Sequence, residues 1–231
     1  MPLLDQILSI ACFALWTVSY VLILRQARAD GRVGMPLIPL CMNVCYEFIF
    51  GFVYPDVPPV NYSNQLWFFV DLLLFAQFLK YGRREFTDLV SPRLFVPTVL
   101  ATLVLCGGGI LAVTAEFNDY HGGNYTGWGD QILICVSFVA LITRRRSSKG
   151  QSMYIGLARM IGTLCLVPVQ YHLMPHSKLL AFIYVVFPMI DALYLTLLYR
   201  QCRREGRDPW SLAVTREPEN TASVAEARLA A

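Results

Sequence analysis

The sequence predicts an all-α, polytopic membrane protein with seven transmembrane helices, its N-terminus outside and its C-terminus in the cytoplasm. The first observation is composition: 56% of the 231 residues are hydrophobic, 15% are charged, and the mean hydropathy is +0.49. An average soluble protein has roughly 25% charged residues, and a soluble domain of this size could not hide so much apolar surface. Composition therefore excludes a soluble enzyme, a nucleic-acid-binding protein and a disordered chain.

The second observation is a series of seven apolar runs, most of them close to the roughly 20 residues that cross a bilayer as a helix. They are continuous rather than alternating, which favours helices over a transmembrane barrel. The predicted helices are Leu3–Leu24, Met35–Tyr54, Gln65–Lys80, Leu94–Ala115, Tyr125–Thr143, Met153–Leu173 and Leu179–Tyr199.

The third observation is charge asymmetry between alternate loops. Seventeen of the 19 Lys and Arg residues follow the predicted helices 1, 3, 5 and 7, and the opposite loops hold Lys178 alone. The positive-inside rule gives the orientation stated above. The seventeen are Arg25, Arg28, Arg32, Lys80, Arg83, Arg84, Arg93, Arg144, Arg145, Arg146, Lys149, Arg200, Arg203, Arg204, Arg207, Arg216 and Arg228. We expect a membrane domain over residues 1–204 and a polar, flexible cytoplasmic tail over 205–231.

Charged residues within the apolar runs are the candidate functional residues, because each is costly in lipid. Four qualify: Glu47, Asp71, Arg159 and Asp191. Asp130 falls near an outer helix end, where water could reach it. Three acids and one arginine do not balance, so either one acid pairs with Arg159 and the others are protonated, or the acids line a polar cavity. A protonated carboxylic acid held in the membrane is a ready Brønsted acid.

The neighbours of these acids suit a reaction that makes carbocations, since aromatic faces stabilise positive charge. Asn43 precedes Glu47 by one helical turn and shares its helix face. The aromatic candidates for stabilising a cation are Tyr46, Trp67, Phe187 and Tyr194. From helix rise, we expect Glu47 and Asp71 at similar depth and Asp191 somewhat deeper.

No motif of the type DDxxD or NDxxD is present to hold Mg²⁺ and a diphosphate. HExxH and GxSxG are also absent, and predicted helix 7 has no lysine for a Schiff base. We therefore expect no metal and no cofactor.

Four segments together resemble the small integral-membrane terpene cyclases of fungal meroterpenoid pathways, of the paxilline and pyripyropene type, and their bacterial relatives in indole sesquiterpenoid pathways. The segment from Gly34 to Pro55 resembles the family's second helix, although the family usually has Trp where Tyr46 stands. The segment from Leu66 to Gly82 resembles its third helix, and that from Ser147 to Thr163 its entry into helix 6. Asp191 stands where the family carries an acid in helix 7.

The resemblance implies a metal-independent cyclase in which Glu47 protonates the terminal alkene or epoxide of a prenylated aromatic substrate and Asp191 assists. Asn43, Asp71 and Arg159 would support the acids. A prenyltransferase or an epoxidase of the same pathway is the expected partner, besides the substrate and the lipid bilayer. The Ala- and Arg-rich tail favours a bacterial plasma membrane, and a fungal origin would imply the endoplasmic reticulum.

Two other classes of protein compete with this interpretation. A seven-helix small-molecule transporter shares the topology, but the chain has neither a Pro-Gln dipeptide nor a detectable repeat. A receptor or sensor is the third hypothesis, and short loops without a signalling tail weigh against it.

Overall fold

The structure, a computed structural model, describes residues 2–56, 58, 60–86 and 91–211. Within these ranges the chain is helical and contains no strand, which confirms the predicted all-α class. The helices are α1 (Leu3–Asp30), α2 (Leu37–Phe48), α3 (Val60–Phe86), α4 (Phe95–Glu116), α5 (Asn124–Arg145), α6 (Met153–Leu173) and α7 (Lys178–Arg204). A π-helical turn, Ile49–Val53, extends α2, and a 3-10 turn, Pro92–Leu94, precedes α4.

Several helices run further than their apolar runs predict. The α1 helix ends at Asp30 rather than Leu24, α3 covers Val60–Phe86 rather than Gln65–Lys80, and α7 reaches Arg204. Seven of the seventeen basic residues predicted for the cytoplasmic loops lie instead in the last turns of α1, α3, α5 and α7: Arg28, Arg83, Arg84, Arg144, Arg145, Arg203 and Arg204. Positive side chains are favourable there, because they face the negative end of the helix dipole.

Five helices of the described chain are long and apolar enough to cross a membrane: α1, α4 with its preceding turn, α5, α6 and α7. The α2 helix with its π-helical turn is apolar but shorter. Large apolar side chains face outward, for example Val104 and Leu105 of α4, each about three quarters exposed. Apolar side chains outside and charged side chains inside are the arrangement expected in lipid.

The helix contacts close a ring in the order α1, α3, α2, α5, α7, α6 and back to α1, and α4 packs outside it on α2 and α5. The most extensive contact is between α1 and α6. Because α2 touches α3, α4 and α5, a side chain on its inner face can meet groups from several helices.

Glu205 and Arg207, which the sequence assigned to the tail, contact the α5–α6 loop and the end of α1. Glu205 accepts a hydrogen bond from the backbone N–H of Ser148 (2.9 Å), and Arg207 pairs with Asp30 (3.4 Å). Although its partial burial opposes the shift, hydrogen bonds from Ser148 and Gln201 lower the pKa of Glu205. The rest of the predicted tail, with Arg216 and Arg228, lies outside the described residues.

Candidate active site

Three buried carboxyl groups from three helices form one group, here called the carboxyl cluster: Glu47 of α2, Asp71 of α3 and Asp130 of α5. Their exposed fractions are 5%, 0% and 5%. The charges of Asp71 and Asp130 both act on Glu47, and Asp130 also acts on Asp71. The expectation that Asp130 could lie in water is wrong, because the packing of α5 on α2 turns this residue into the interior.

Asn43 joins the carboxyl cluster to α1. One terminal atom of its amide lies 2.7 Å from Oδ2 of Asp130 and 3.3 Å from the backbone carbonyl oxygen of Pro39. A peptide carbonyl can only accept, so this atom is the nitrogen, which donates to Asp130. The amide oxygen accepts a hydrogen bond from the hydroxyl of Tyr20 (2.7 Å). Tyr20, which the sequence did not single out, is 2% exposed.

Two oxygen atoms of the carboxyl cluster are buried without a hydrogen bond in the described structure, Oε2 of Glu47 and Oδ1 of Asp130. The hydrogen-bonding side chains beside Asp71 are Tyr20 and Asn43. Among the described residues, no Lys, Arg or His lies within ion-pair distance of the three carboxyl groups. An ionised carboxylate in such surroundings is costly. The cluster is therefore built to hold protons rather than a set of negative charges.

The backbone next to Glu47 is irregular. The π-helical turn begins two residues after it, and such turns are frequent at functional sites. Two amides of α3 bond to carbonyl groups of this turn: Asn64 donates to Phe50 (3.4 Å) and Gln65 donates to Gly51 (2.9 Å). These bonds fix α2 against α3 and so hold Glu47 near Asp71.

Asp191 lies in a second buried group. It forms an ion pair with Arg159 of α6, and the two side chains are 0% and 1% exposed. The guanidinium group of Arg159 lies 4.5 Å from the ring centre of Phe138 and 5.7 Å from that of Tyr194. Of the two arrangements that the sequence left open, the pairing of one acid with Arg159 is the one observed.

The aromatic candidates divide between these two groups. Trp67 stacks on Phe13 (5.3 Å between ring centres) and lies 6.4 Å from Tyr20, beside the carboxyl cluster. Tyr194 contacts Arg159 and donates a hydrogen bond to Gln151 (2.6 Å).

The other two aromatic candidates make separate contacts. The hydroxyl of Tyr46 donates to the carbonyl oxygen of Gly122 (3.0 Å) in the α4–α5 loop. Phe187 is fully buried against Trp128, with 5.7 Å between ring centres.

The predicted site residues thus meet in two places. Asn43, Glu47 and Asp71 come together, joined by Tyr20 and Asp130, while Arg159 and Asp191 form the second group. The sequence offered one signal for Asp130, a charge six residues inside α5, but none for Tyr20, which is one of many aromatic residues in an apolar run. Within the described chain, no three His, Cys, Asp or Glu side chains are grouped so as to hold a metal ion.

A helical membrane protein with buried acids in an apolar, aromatic interior is the class defined by this fold and site. The model of the family described as Pyr4-like transmembrane terpene cyclases matches residues 1–204. The chain belongs to this family of membrane terpene cyclases, and the resemblance inferred from the sequence motifs is confirmed.

Several curated relatives are fungal proteins. The chain is 34% identical to the Pyr4-family terpene cyclase mfmH of Annulohypoxylon moriforme over 158 residues, which cover 64% of this chain and 62% of that protein. It is 25% identical to asnovolin H synthase nvfL of Aspergillus novofumigatus, with 86% of each chain covered. It is 26% identical to the terpene cyclase olcD of Penicillium canescens, with 88% of each covered. No solved structure is significantly similar to the chain.

Proposed function

We propose that this chain is a membrane-bound, metal-independent terpene cyclase whose Glu47 protonates the terminal alkene or epoxide of a prenylated aromatic substrate. The aromatic part of this substrate is an indole or the aromatic group of another meroterpenoid precursor. The observation that carries the proposal is the carboxyl cluster: Glu47 is 5% exposed, faces two further buried acids and has no cation beside it in the described structure. Burial and like charges both favour the neutral carboxylic acid.

The reaction balances without another reactant. The O–H bond of Glu47 breaks as its proton forms a bond to the terminal alkene carbon, or to the epoxide oxygen while a C–O bond of the epoxide breaks. The cation left on the substrate is attacked by the next alkene of the chain, and the cascade ends when a C–H bond gives up a proton to the protein. The product is an isomer of the substrate, and Glu47 is protonated again.

A general acid of this kind contributes about 10²- to 10⁴-fold to a rate. The larger part of the task is to hold a flexible prenyl chain in a folded arrangement, which is an entropic cost that a shaped apolar interior can offset. We assign the stabilisation of positive charge to Tyr46, Trp67, Phe187 and Tyr194. Of these four residues, Trp67 lies next to the carboxyl cluster, because its ring packs near the ring of Tyr20.

Asp191 assists in this proposal through its ion pair, with Asn43, Asp71 and Arg159 as supporting groups. A carboxylate paired with Arg159 is suited to offset positive charge on a cation rather than to donate a proton. In this proposal the protonated carboxyl cluster starts the reaction, and the Arg159–Asp191 ion pair offsets the positive charge that the substrate carries afterwards.

The proposed setting is a bilayer crossed seven times, with the N-terminus outside. A prenylated aromatic is amphiphilic and would enter the site from the lipid. A prenyltransferase or an epoxidase would supply it. The choice of a bacterial plasma membrane stays a prediction, and the curated relatives named above are fungal.

The test compares the wild type, Glu47→Gln and the matched control Glu116→Gln, which changes an exposed acid at the end of α4. Each is expressed in a host without terpenoid pathways and given farnesylated and geranylgeranylated indoles, with and without terminal epoxides. We expect a product of unchanged mass and shifted retention from the wild type and the control, and at least a 100-fold loss in Glu47→Gln. EDTA should change none of these rates.

Three results would contradict the proposal. Turnover retained in Glu47→Gln would remove Glu47 from the initiating role. Activity that EDTA abolishes and Mg²⁺ restores would reject a metal-independent mechanism. If the inserted wild-type protein converts no substrate of the panel, the cyclase assignment to prenylated indoles is wrong.

A further inference from the structure

A buried amide in the loop between α5 and α6 reaches the second group of buried charges. Gln151 is buried and stands two residues before α6. Its Nε2 donates to the carbonyl oxygen of Gly34 in the α1–α2 loop (2.8 Å) and to that of Gly150 (2.9 Å). Because peptide carbonyls only accept, these two bonds fix which end of the amide is the nitrogen. The amide oxygen is left to accept from the hydroxyl of Tyr194 (2.6 Å).

The ring of Tyr194 is fully buried, and groups from two other helices surround it. The ring of Phe138 of α5 lies 5.4 Å away between centres, and the guanidinium group of Arg159 of α6 lies 5.7 Å from the ring centre. A Cβ atom at Gly156 would come within 2.9 Å of the ring, so Tyr194 lies directly on the backbone of α6. The hydrogen bond from its hydroxyl to Gln151 holds the free end of the ring.

We propose that Gln151 is a positioning residue for the cyclase reaction, whose amide fixes the ring of Tyr194 beside the Arg159–Asp191 ion pair. Gln151 thereby sets how far the cation cascade runs before the substrate loses its proton. The inference rests on the proposed function, in which Tyr194 and this ion pair offset positive charge on the substrate.

The position of Tyr194 matters because a substrate cation can lose its proton at any stage of the cascade. Each early loss gives an isomer with fewer rings and the same mass. Aromatic faces and fixed charges stabilise a cation only where they are held in place, and a misplacement of about 1 Å can cost about 100-fold in rate. A displaced ring of Tyr194 should therefore favour early proton loss and leave protonation by Glu47 intact.

The first measurement compares the products of wild type, Gln151→Met, Tyr194→Phe and the double variant, each purified in lipid nanodiscs with the substrate that the wild type converts. Methionine is about as long as glutamine but lacks the amide. We expect the ratio of partly to fully cyclised isomers to rise about tenfold in Gln151→Met, as expected for the loss of one buried hydrogen bond. A merely structural role would lower all products equally and leave the ratio unchanged, which would overturn the proposal.

The other two variants test whether Gln151 acts through the hydroxyl of Tyr194. Tyr194→Phe keeps the ring and the bonds of Gln151 to the loops, so it should stay folded and raise the same ratio. The double variant should show no larger shift than the single ones, because both substitutions remove one hydrogen bond. A wild-type ratio in Tyr194→Phe overturns the proposal even if Gln151→Met does not fold, and so do shifts that multiply in the double variant.

The matched control is Gln77→Met. Gln77 of α3 is half-buried, and its amide also donates across the protein, to the carbonyl oxygen of Leu24 of α1 (2.8 Å). It does not bond to Tyr194. We expect this variant to lose stability and to keep the wild-type ratio of products. An equal shift in Gln77→Met and Gln151→Met would overturn the proposal.

A second readout needs no substrate. The infrared C–O stretching band of the Tyr194 phenol is identified by its loss in Tyr194→Phe. We expect it to move in Gln151→Met and to stay in place in Gln77→Met. An unmoved band in Gln151→Met overturns the inference. A moved band in a protein that converts no prenylated substrate supports the placement of Tyr194 by Gln151 and refutes only the proposed function.

Discussion

Arg159 illustrates how one residue can be required by its surroundings. Its guanidinium group is 1% exposed, pairs with Asp191 and lies over the rings of Phe138 and Tyr194. The planar group suits stacking and ion pairing at once, which a lysine would not do. The ring of Tyr194, proposed to stabilise a substrate cation, therefore already faces a protein cation.

Removing one partner of this ion pair should lower the free energy of unfolding more than removing both partners. Arg159→Met leaves the carboxylate of Asp191 buried and unpaired, a cost of about 3–5 kcal/mol in the free energy of unfolding. We expect the double variant Arg159→Met/Asp191→Asn to recover a large part of that loss. Thermal unfolding in detergent micelles measures both, and the exposed Arg144→Met is the control. If the stability losses of the two single substitutions simply add in the double variant, Arg159 and Asp191 do not stabilise the protein through their interaction.

The proposed role of Asp191 predicts an effect on turnover that is separable from its effect on stability. We expect Asp191→Asn to lose nearly as much activity as Glu47→Gln, because the ionic pair is proposed to offset positive charge during the cascade. Wild-type turnover in a folded Asp191→Asn protein would reduce Asp191 to a structural acid.

The π-helical turn is an element whose position depends on glycine. Gly123 has a φ of +57° at the start of α5, and a Cβ atom there would lie 2.4 Å from the ring of Phe50. Phe50 is fully buried within the π-helical turn, three residues after Glu47. The close contact allows the α4–α5 loop to cover the turn.

Replacing Gly123 by alanine should therefore displace Phe50 and, with it, the helix that carries Glu47. In Gly123→Ala, the clash with Phe50 and the left-handed backbone should together cost about 3 kcal/mol in the free energy of unfolding. Thermal unfolding measures the loss, and turnover at a temperature where the variant stays folded reports any displacement of Glu47.

Gly108 provides the matched control within α4. A Cβ atom there meets nothing within 4 Å, so Gly108→Ala should leave stability unchanged or raise it by up to about 1 kcal/mol. Equal losses in Gly108→Ala and Gly123→Ala would show that the contact with Phe50 is not the cause.

The ring of helices assembles the site from segments distant in sequence. Tyr20, Asn43, Asp71 and Asp130 lie on four different helices, and the ring order brings α1, α3, α2 and α5 together. The ends of α3 and α5 are tied by a polar contact between Arg145 and Glu85 (2.7 Å). The molecule thus has apolar side chains on its outer surface, ion pairs where α1, α3 and α5 end, and buried acids in its interior.

Orientation in the membrane is a prediction for the whole molecule. Basic residues follow predicted helices 1, 3, 5 and 7, so we expect Glu116 at the outer face and Arg204 at the inner face. In intact cells a membrane-impermeant maleimide should label Glu116→Cys, whereas Arg204→Cys should react only after permeabilisation. The parent chain, with seven native cysteines, gives the background. The reverse pattern would overturn the orientation, and labelling of both in intact cells would overturn the crossing count.

Local sequence was enough to predict the membrane class, the seven helices and four of the buried charges, Glu47, Asp71, Arg159 and Asp191. These follow from runs of apolar residues and from single charges within them. It was also enough for the family, through motifs such as Asn43 with Glu47 that lie within one helix. It misjudged helix ends, since basic side chains prolong helices beyond the apolar runs.

Which acids meet could not be read from the sequence. The prediction placed Asp130 near water and left the partner of Arg159 open, but folding buries Asp130 beside Glu47 and joins Arg159 to Asp191. The reason is physical: helices that are apolar on most faces carry little local information about their rotation or their neighbours. Contacts between helices far apart in the chain set both, and with them the division of the buried charges into a carboxyl cluster and an ion pair.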